Sequence, residues 1–461
     1  YPPAQRSSFP FFTPVMPSKS LINFASGVPA TTLLPADRLK EAANSVLSNP
    51  SVWQPGMIYG PDEGHFPFRV NIAKWLTGFY ESVQPISADR ICITGGASQN
   101  LASILQVFTD PIKTRKIWII EPGYFLAFRI FKDAGFDGKL HGIPEDAEGV
   151  DIACLEQALA AELKEFKASV PIQGCVQPIK AACAYRKLYS HIIYCVPTFA
   201  NPSGSIMSRS QRESLLRLAR KYDALIISDD VYDFLHWSLD PGTQVPSGPT
   251  TAILPRIVDL ERTLDGGPQD DFGNAVSNGS FSKIVGPGCR VGWAEGTEKF
   301  IHGLSQSGST RSGGAPSQLM STFINELMIG DSLKDHMAST LLAYRRRYFT
   351  MLSAIKEYLL PLGVSFSTVS TSSPTAGGIF FWLKLPSPLT AMKVADCAER
   401  EENVIFGFGP SFSLPEGNIS CNDFEDMIRL CFSCVEEESL LNGVVRLSLV
   451  LKKLLGYEGR D

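Results

Sequence analysis

Residues 277–293 read SNGSFSKIVGPGCRVGW. The run Val276–Phe281 is small and apolar enough for a buried strand, and Pro287-Gly288 marks a turn beyond it. Lys283 stands at the end of that strand. Two hydroxyls, Ser280 and Ser282, precede it, and Arg290 follows seven residues later. A lysine held rigidly in apolar surroundings has a depressed pKa and becomes able to form a Schiff base with a carbonyl. Ser280, Ser282 and Arg290 suit a dianionic phosphate beside it, because a guanidinium meets phosphate with two parallel hydrogen bonds.

Outward from this stretch, short apolar runs alternate with helical periods. RICIT (90–94), KIWIIE (116–121), HIIYCV (191–196) and ALIIS (224–228) read as buried strands. Helices are expected at 66–80, from Gly95-Gly96 onward, at 124–134 and at 209–222, with an earlier one opening at Asp37 as N-cap. Buried strands separated by amphipathic helices imply an α/β fold with an open, mostly parallel sheet. Long helices (317–330, 332–358), strands (377–383, 404–407, 427–432) and a closing helix (436–456) then suggest a second, smaller α+β domain. The expected division is an N-terminal arm and part of the small domain over 1–48, a large domain over 49–315 and a C-terminal small domain over 316–461. Residues 1–20 are proline-rich and read as an extended arm. Residues 163–190 and 239–273 fit no period and read as loops or insertions.

The chain has 461 residues, 19% of them charged, with a net charge of −5. That charge balance argues against a nucleic-acid partner, which needs a basic face for phosphates. No apolar run reaches the ~18 residues of a membrane span. The N-terminal residues lack the pattern of a signal peptide, although a start at Tyr1 leaves room for residues ahead of it. The ten cysteines mostly stand singly in apolar runs, as buried thiols do in a reducing cytoplasm. Only Cys431 and Cys434 have CxxC spacing. With no second pair beside them, a metal site is not expected there.

Further motifs carry their own chemistry. TGGASQNL (94–101) is a glycine-rich turn opening a helix, where free backbone N–H groups and the helix dipole favour an anion. Asp229, in IISDDVYDF, closes a strand at the edge where open α/β sheets place their ligands. Arg429, in MIRLCFS, has the planar fork that grips a carboxylate.

Taken together, SFSK…PGCRVG and these motifs strongly resemble the class I/II aminotransferases, fold-type I enzymes dependent on pyridoxal 5'-phosphate. The resemblance covers roughly residues 22–450. The wording FASGVP, PTFANPSG, GASQNL and SFSK is similar to the 2-aminoadipate and kynurenine aminotransferase branch. The resemblance implies an aspartate aminotransferase-like fold. It assigns Lys283 as the Schiff-base lysine and proton shuttle. Asp229, in Asp-x-x-Tyr, pairs with the pyridine nitrogen, Tyr232 and Asn201 bond the ring 3-oxygen, and Tyr124 stacks on the ring. Ala97, Ser98 and Gln99 join Ser280, Ser282 and Arg290 around the phosphate. Arg429 takes the substrate α-carboxylate with Asn201 beside it, and Gly27 covers the substrate by its backbone. Tyr59 reaches the phosphate of a neighbouring subunit, so a homodimer with a shared active site is implied.

The implied reaction moves an amino group between an amino acid with an aromatic, 2-aminoadipate-like or other long side chain and a 2-oxo acid. The same residues also serve decarboxylation, elimination, carbon–carbon bond formation or oxidation on this cofactor. A non-catalytic regulator would need a DNA-binding module, for which the arm is too short. Gly286 and Cys289 depart mildly from the family pattern, and no second arginine for a distal carboxylate is evident beyond Arg311.

Overall fold

Strands rich in Ile lie almost wholly buried at the centre of the chain, which explains why they read as continuous apolar runs. In the computed structural model, residues 19–169, 177–240, 251–366, 375–414 and 424–457 are described. The expected arm falls mostly outside them. Across the main sheet the strands run Ile91–Thr94, Gly292–Glu295, Ala275–Ser280, Ala224–Asp229, His191–Cys195, Lys116–Glu121, Leu140–Asp146 and the short Gly149–Val150. From Ala275–Ser280 through Leu140–Asp146 every pairing is parallel, and Gly292–Glu295 is antiparallel to both its neighbours. The α/β fold with a mostly parallel sheet is therefore present.

A smaller sheet runs in the order Ser365–Phe366, Phe380–Lys384, Met427–Cys431, Gly407–Phe408. The first described strand, Ile22–Asn23, pairs in parallel with Val404–Ile405, so the two ends of the chain meet. Two helices, Gln318–Ile329 and Ser332–Ala354, join the layers, and one continuous apolar core links Phe68 and Trp293 to Phe381 and Leu430.

Several expectations are corrected. Residues 163–169 are no loop, because the helix Ile152–Ser169 runs through them with Leu155 and Leu159 fully buried. Its outer face is too polar to show the period. The stretch 239–273 contains the helix Ile257–Glu261, while 241–250 lies outside the described residues. Asp37 is not an N-cap. The helix Ala36–Ser48 is entered from Pro35 without a side-chain cap, and Asp37 lies in its first turn, where an acid complements the helix dipole. Leu140–Asp146 carries Gly142 and Pro144 and so gave no apolar run, yet it pairs along Lys116–Glu121. The expected strand 377–383 is broken at Gly378, whose φ of +66 suits glycine. Thr375–Gly377 instead pairs with His236–Ser238. Cys434 is not on a strand but in the turn after Met427–Cys431.

Candidate active site

Ser280 ends its strand and hands the chain to a single tight turn, Phe281–Lys283, so Lys283 sits one turn beyond the sheet. The turn is pinned by Ser280 Oγ, which accepts from the Ser282 N–H at 3.1 Å. Beneath it, Gly279 leaves room for the Trp293 indole. A Cβ there would stand 2.1 Å from that ring. The neighbouring strands end at Thr94, Asp229 and Cys195, all on the same edge of the sheet.

Above that edge opens a cavity of about 810 Å³. Its wall contains Gly27, Ala97, Ser98, Tyr124, Asn201, Asp229, Tyr232, Ser280, Ser282, Lys283, Arg290 and Arg429. Residues drawn from across some 400 positions of sequence thus face one space. Gln99 and Tyr59 lie outside the wall. The Gln99 amide oxygen accepts from the Gly95 N–H at 2.9 Å, and its nitrogen donates to Ser103. Tyr59 is 85% exposed on the surface, in contact range of Gly313. Arg311 is exposed and ion-paired to Asp62.

The charges are held individually. Lys283 Nζ donates to Gly27 O at 2.5 Å. Burial pulls its pKa below the usual lysine value, against the opposing pull of Cys431 and Asp229. Asp229 is buried, and burial pushes its carboxyl up to about 6, while the Tyr194 hydroxyl and Lys283 favour the anion. Tyr194 Oη donates to Asp229 Oδ2 at 2.8 Å, and Asn278 Nδ2 reaches Oδ1 at 3.3 Å. The next residue, Asp230, points to the other face, where it accepts from Ser228 and Ser277.

Arg429 donates to Asn201 Oδ1 at 2.7 Å and to Ala25 O at 2.5 Å. Its guanidinium lies 4.2 Å from the Phe380 ring centre and 4.9 Å from that of Phe412. Those contacts use two of five N–H donors, and Nε is buried with no hydrogen-bond partner. Arg290 adopts a left-handed conformation, φ +51, and donates to Gly95 O at 2.7 Å, which brings it to the glycine-rich turn.

Sequence reasoning missed Tyr194, Asn278, Phe380 and Phe412. Tyr194 is a polar residue inside an otherwise apolar strand, which was a usable signal, whereas Asn278 stands among Ser277, Gly279 and Ser280 and draws no notice. The two phenylalanines look like ordinary core.

These groups fit pyridoxal phosphate. One depressed lysine faces one buried carboxyl that ionises when a ring cation comes beside it. At Gly96, φ +96, a Cβ would stand 2.7 Å from the Arg290 guanidinium, so only glycine leaves that cradle open. The helix Ala97–Phe108 starts there with its N–H groups free for an anion. Fold and site thus define an enzyme that runs carbonyl chemistry through a lysine.

Comparison with known proteins agrees. The family model for aminotransferase class I and II matches residues 19–447. An uncharacterised protein of Saccharomyces cerevisiae is 34% identical, over 94% of this chain and 97% of its own. Aromatic-amino-acid aminotransferase 1 of Thermococcus litoralis is 27% identical over 95% and 89%. The crystal structure of LysN, the alpha-aminoadipate aminotransferase of Thermus thermophilus, complexed with N-(5'-phosphopyridoxyl)-L-leucine, superposes with a TM-score of 0.72. It is 25% identical, covering 95% of this chain and 93% of that one. The chain belongs to the class I and II aminotransferases, and it is a pyridoxal phosphate-dependent enzyme of that family.

Proposed function

We propose that the enzyme transfers an amino group from an amino acid with an aromatic or long apolar side chain to a 2-oxo acid, through Lys283, Asp229 and Arg429. The observation that supports this reading is their convergence in one cavity with Lys283 buried. Val28, Phe125, Leu126 and Ile130 give that cavity an apolar wall. Among the described residues its only cationic side chains are Lys283, Arg290 and Arg429. With Arg290 on the phosphate and Arg429 on the α-carboxylate, no cation remains for a second carboxylate.

Bound, the cofactor supplies a carbonyl carbon and a ring that draws electrons from the substrate α-carbon. Arg429 fixes the α-carboxylate, with Asn201 and Ala25 holding the guanidinium in place. Phe380 and Phe412 keep water from it, which strengthens the ion pair. Asp229 places a negative charge at the ring nitrogen, and Tyr194 and Asn278 orient it. The Lys283 amine, with its pKa already lowered by burial, would serve as the base that moves the substrate's α-proton. Gly95–Ser98, Ser280, Ser282 and Arg290 anchor the phosphate.

Mixing the holoenzyme with a single amino acid tests the reading. The visible absorbance of the lysine-bound cofactor is expected to give way to the near-ultraviolet band of the aminated cofactor, and 2-oxoglutarate to restore it. Loss of carbon dioxide, or no spectral change across aromatic and aliphatic donors, would instead mark another reaction. Lys283→Ala should abolish both the visible band and turnover.

The chain is further proposed to divide at about residues 48 and 315, with both ends in the small domain, as the pairing of Ile22–Asn23 with Val404–Ile405 supports. A homodimer is proposed from the exposed apolar ridge Met57, Ile58 and Tyr59, from which Tyr59 serves the partner's phosphate. Eight described cysteines are free, which supports a reducing, cytoplasmic setting.

A further inference from the structure

Two thiols beside the site take no part in this chemistry. Cys431 ends the strand Met427–Cys431 two residues after Arg429, so both side chains leave the same face of the strand. Cys431 is fully buried, and its Sγ lies 3.2 Å from Ser433 Oγ. Cys434 follows in the turn, half-buried, and donates to Asn23 O at 3.2 Å. The two sulfurs lie within hydrogen-bonding reach of each other.

The turn between them holds the segment 23–30. Besides the Cys434 bond, Ser433 Oγ donates to Val28 O at 2.8 Å, and Ser433 O accepts from the Ala30 N–H at 3.0 Å. That same segment supplies the carbonyls that receive Arg429 and Lys283, those of Ala25 and Gly27. Burial pushes the Cys431 thiol up, while the neighbouring Cys434 and Ser433 and the Arg429 cation pull it the other way. A buried sulfur thus stands behind a more accessible one.

We propose that Cys431 and Cys434 are a modification site, closed to an intramolecular disulfide by a low-molecular-weight disulfide such as oxidised glutathione, and that closure switches off substrate binding. The Cys434 sulfur attacks the reagent, breaking its S–S bond, and its proton leaves with the first released thiol. The Cys431 sulfur then attacks the Cys434 sulfur of the mixed disulfide and expels the second thiol, which carries off the Cys431 proton. The protein sulfurs lose two electrons and the reagent's sulfurs gain them. Closure removes the Cys434 donor from Asn23 O, so the segment 23–30 loosens over the substrate.

The switch rests on the proposed role of Arg429, while formation of the bond does not, and the test separates them. The tryptic peptide Leu430–Arg446 contains both cysteines and no other. After exposure of the holoenzyme to oxidised glutathione, this peptide should be lighter by two hydrogens. Turnover at low amino-acid concentration should fall about tenfold or more, in proportion to that fraction, and dithiothreitol should restore both. Cys434→Ser, which keeps a hydroxyl for Asn23, and Cys434→Ala should each lose less than about twofold relative to their own reduced forms. A peptide that keeps two alkylatable thiols, or carries only glutathione, overturns the bond. Equal inhibition of the Cys434 variants, or a fully bridged enzyme with unchanged KM, overturns the switch. A reduced enzyme that fails to transaminate would count against the function while leaving the peptide mass informative.

Discussion

Asp229 carries a cost that the cofactor offsets. Its carboxyl, near 3.8 when exposed, is raised to about 6 by burial, so the folded cofactor-free protein holds the proton more tightly than the unfolded chain. Between those values the native state binds more protons, and stability falls as pH rises through the window. Two units correspond to roughly 3 kcal/mol. Asp229→Asn should remove this slope. Urea unfolding of the cofactor-free proteins at pH 4 and pH 7 should show the variant gaining about 2–3 kcal/mol on the parent at the higher pH. The holoenzyme should behave oppositely and hold its cofactor less tightly. Arg429→Lys should raise KM for the amino acid by about 100-fold, because a point charge cannot replace a fork held by Asn201 and Ala25. Steady-state kinetics on one good donor will show it. Lys283, Asp229 and Arg429 were legible because a charged residue closing or interrupting a buried strand needs a chemical reason. Phe380 and Phe412 were not, because their roles come from the arginine lying opposite them, which no local spacing records.

At the scale of elements, the turn Gly95-Gly96 and the helix behind it form the anion cradle. Gly96→Ala meets both a strained φ of +96 and the Arg290 guanidinium at 2.7 Å. The left-handed cost alone is about 1–2 kcal/mol, and the displaced arginine adds to it, so cofactor affinity should fall about 10- to 100-fold. Titration of the cofactor-free variant, followed by absorbance, measures this. A second joint is the turn at Glu121. Its Oε1 accepts from the Leu414 N–H at 2.5 Å, and the Gly123 N–H donates to Phe412 O at 2.9 Å. The Tyr124 turn is thereby bound to the loop that lays Phe412 on Arg429. The parallel strands were readable because both their faces are buried. The strand Leu140–Asp146 was not, since its edge position tolerates Gly142 and Pro144, nor was the end of the helix Ile152–Ser169, whose outer face is charged.

For the whole molecule, the low charged fraction finds its counterpart in a continuous core and an exposed apolar ridge at Met57–Tyr59. If Tyr59 serves the partner's phosphate, Lys283→Ala and Tyr59→Ala should complement each other. Each is weak alone at limiting cofactor. A dimer formed from one of each has one site with Lys283 from one chain and Tyr59 from the other. Refolding the two variants together should recover up to about a quarter of parental activity, whereas separate refolding followed by mixing without exchange should not. No recovery after shared refolding would place Tyr59 outside the site. The proposed division near residue 315 rests on the change from alternating to clustered strands in the sequence. A return of the N-terminal segment to the small domain was expected, but its pairing of Ile22–Asn23 with Val404–Ile405 was not, because a two-residue strand leaves no pattern.

The contact between Arg429 and Ala25 joins residues 404 positions apart. As the chain leaves the ribosome, the residues of one subunit proposed to hold the cofactor, all at or before Arg290, are made long before Met427–Cys431 emerges to complete the proposed carboxylate grip. On that reading, synthesis delivers the cofactor's residues first and the one that would choose a substrate last.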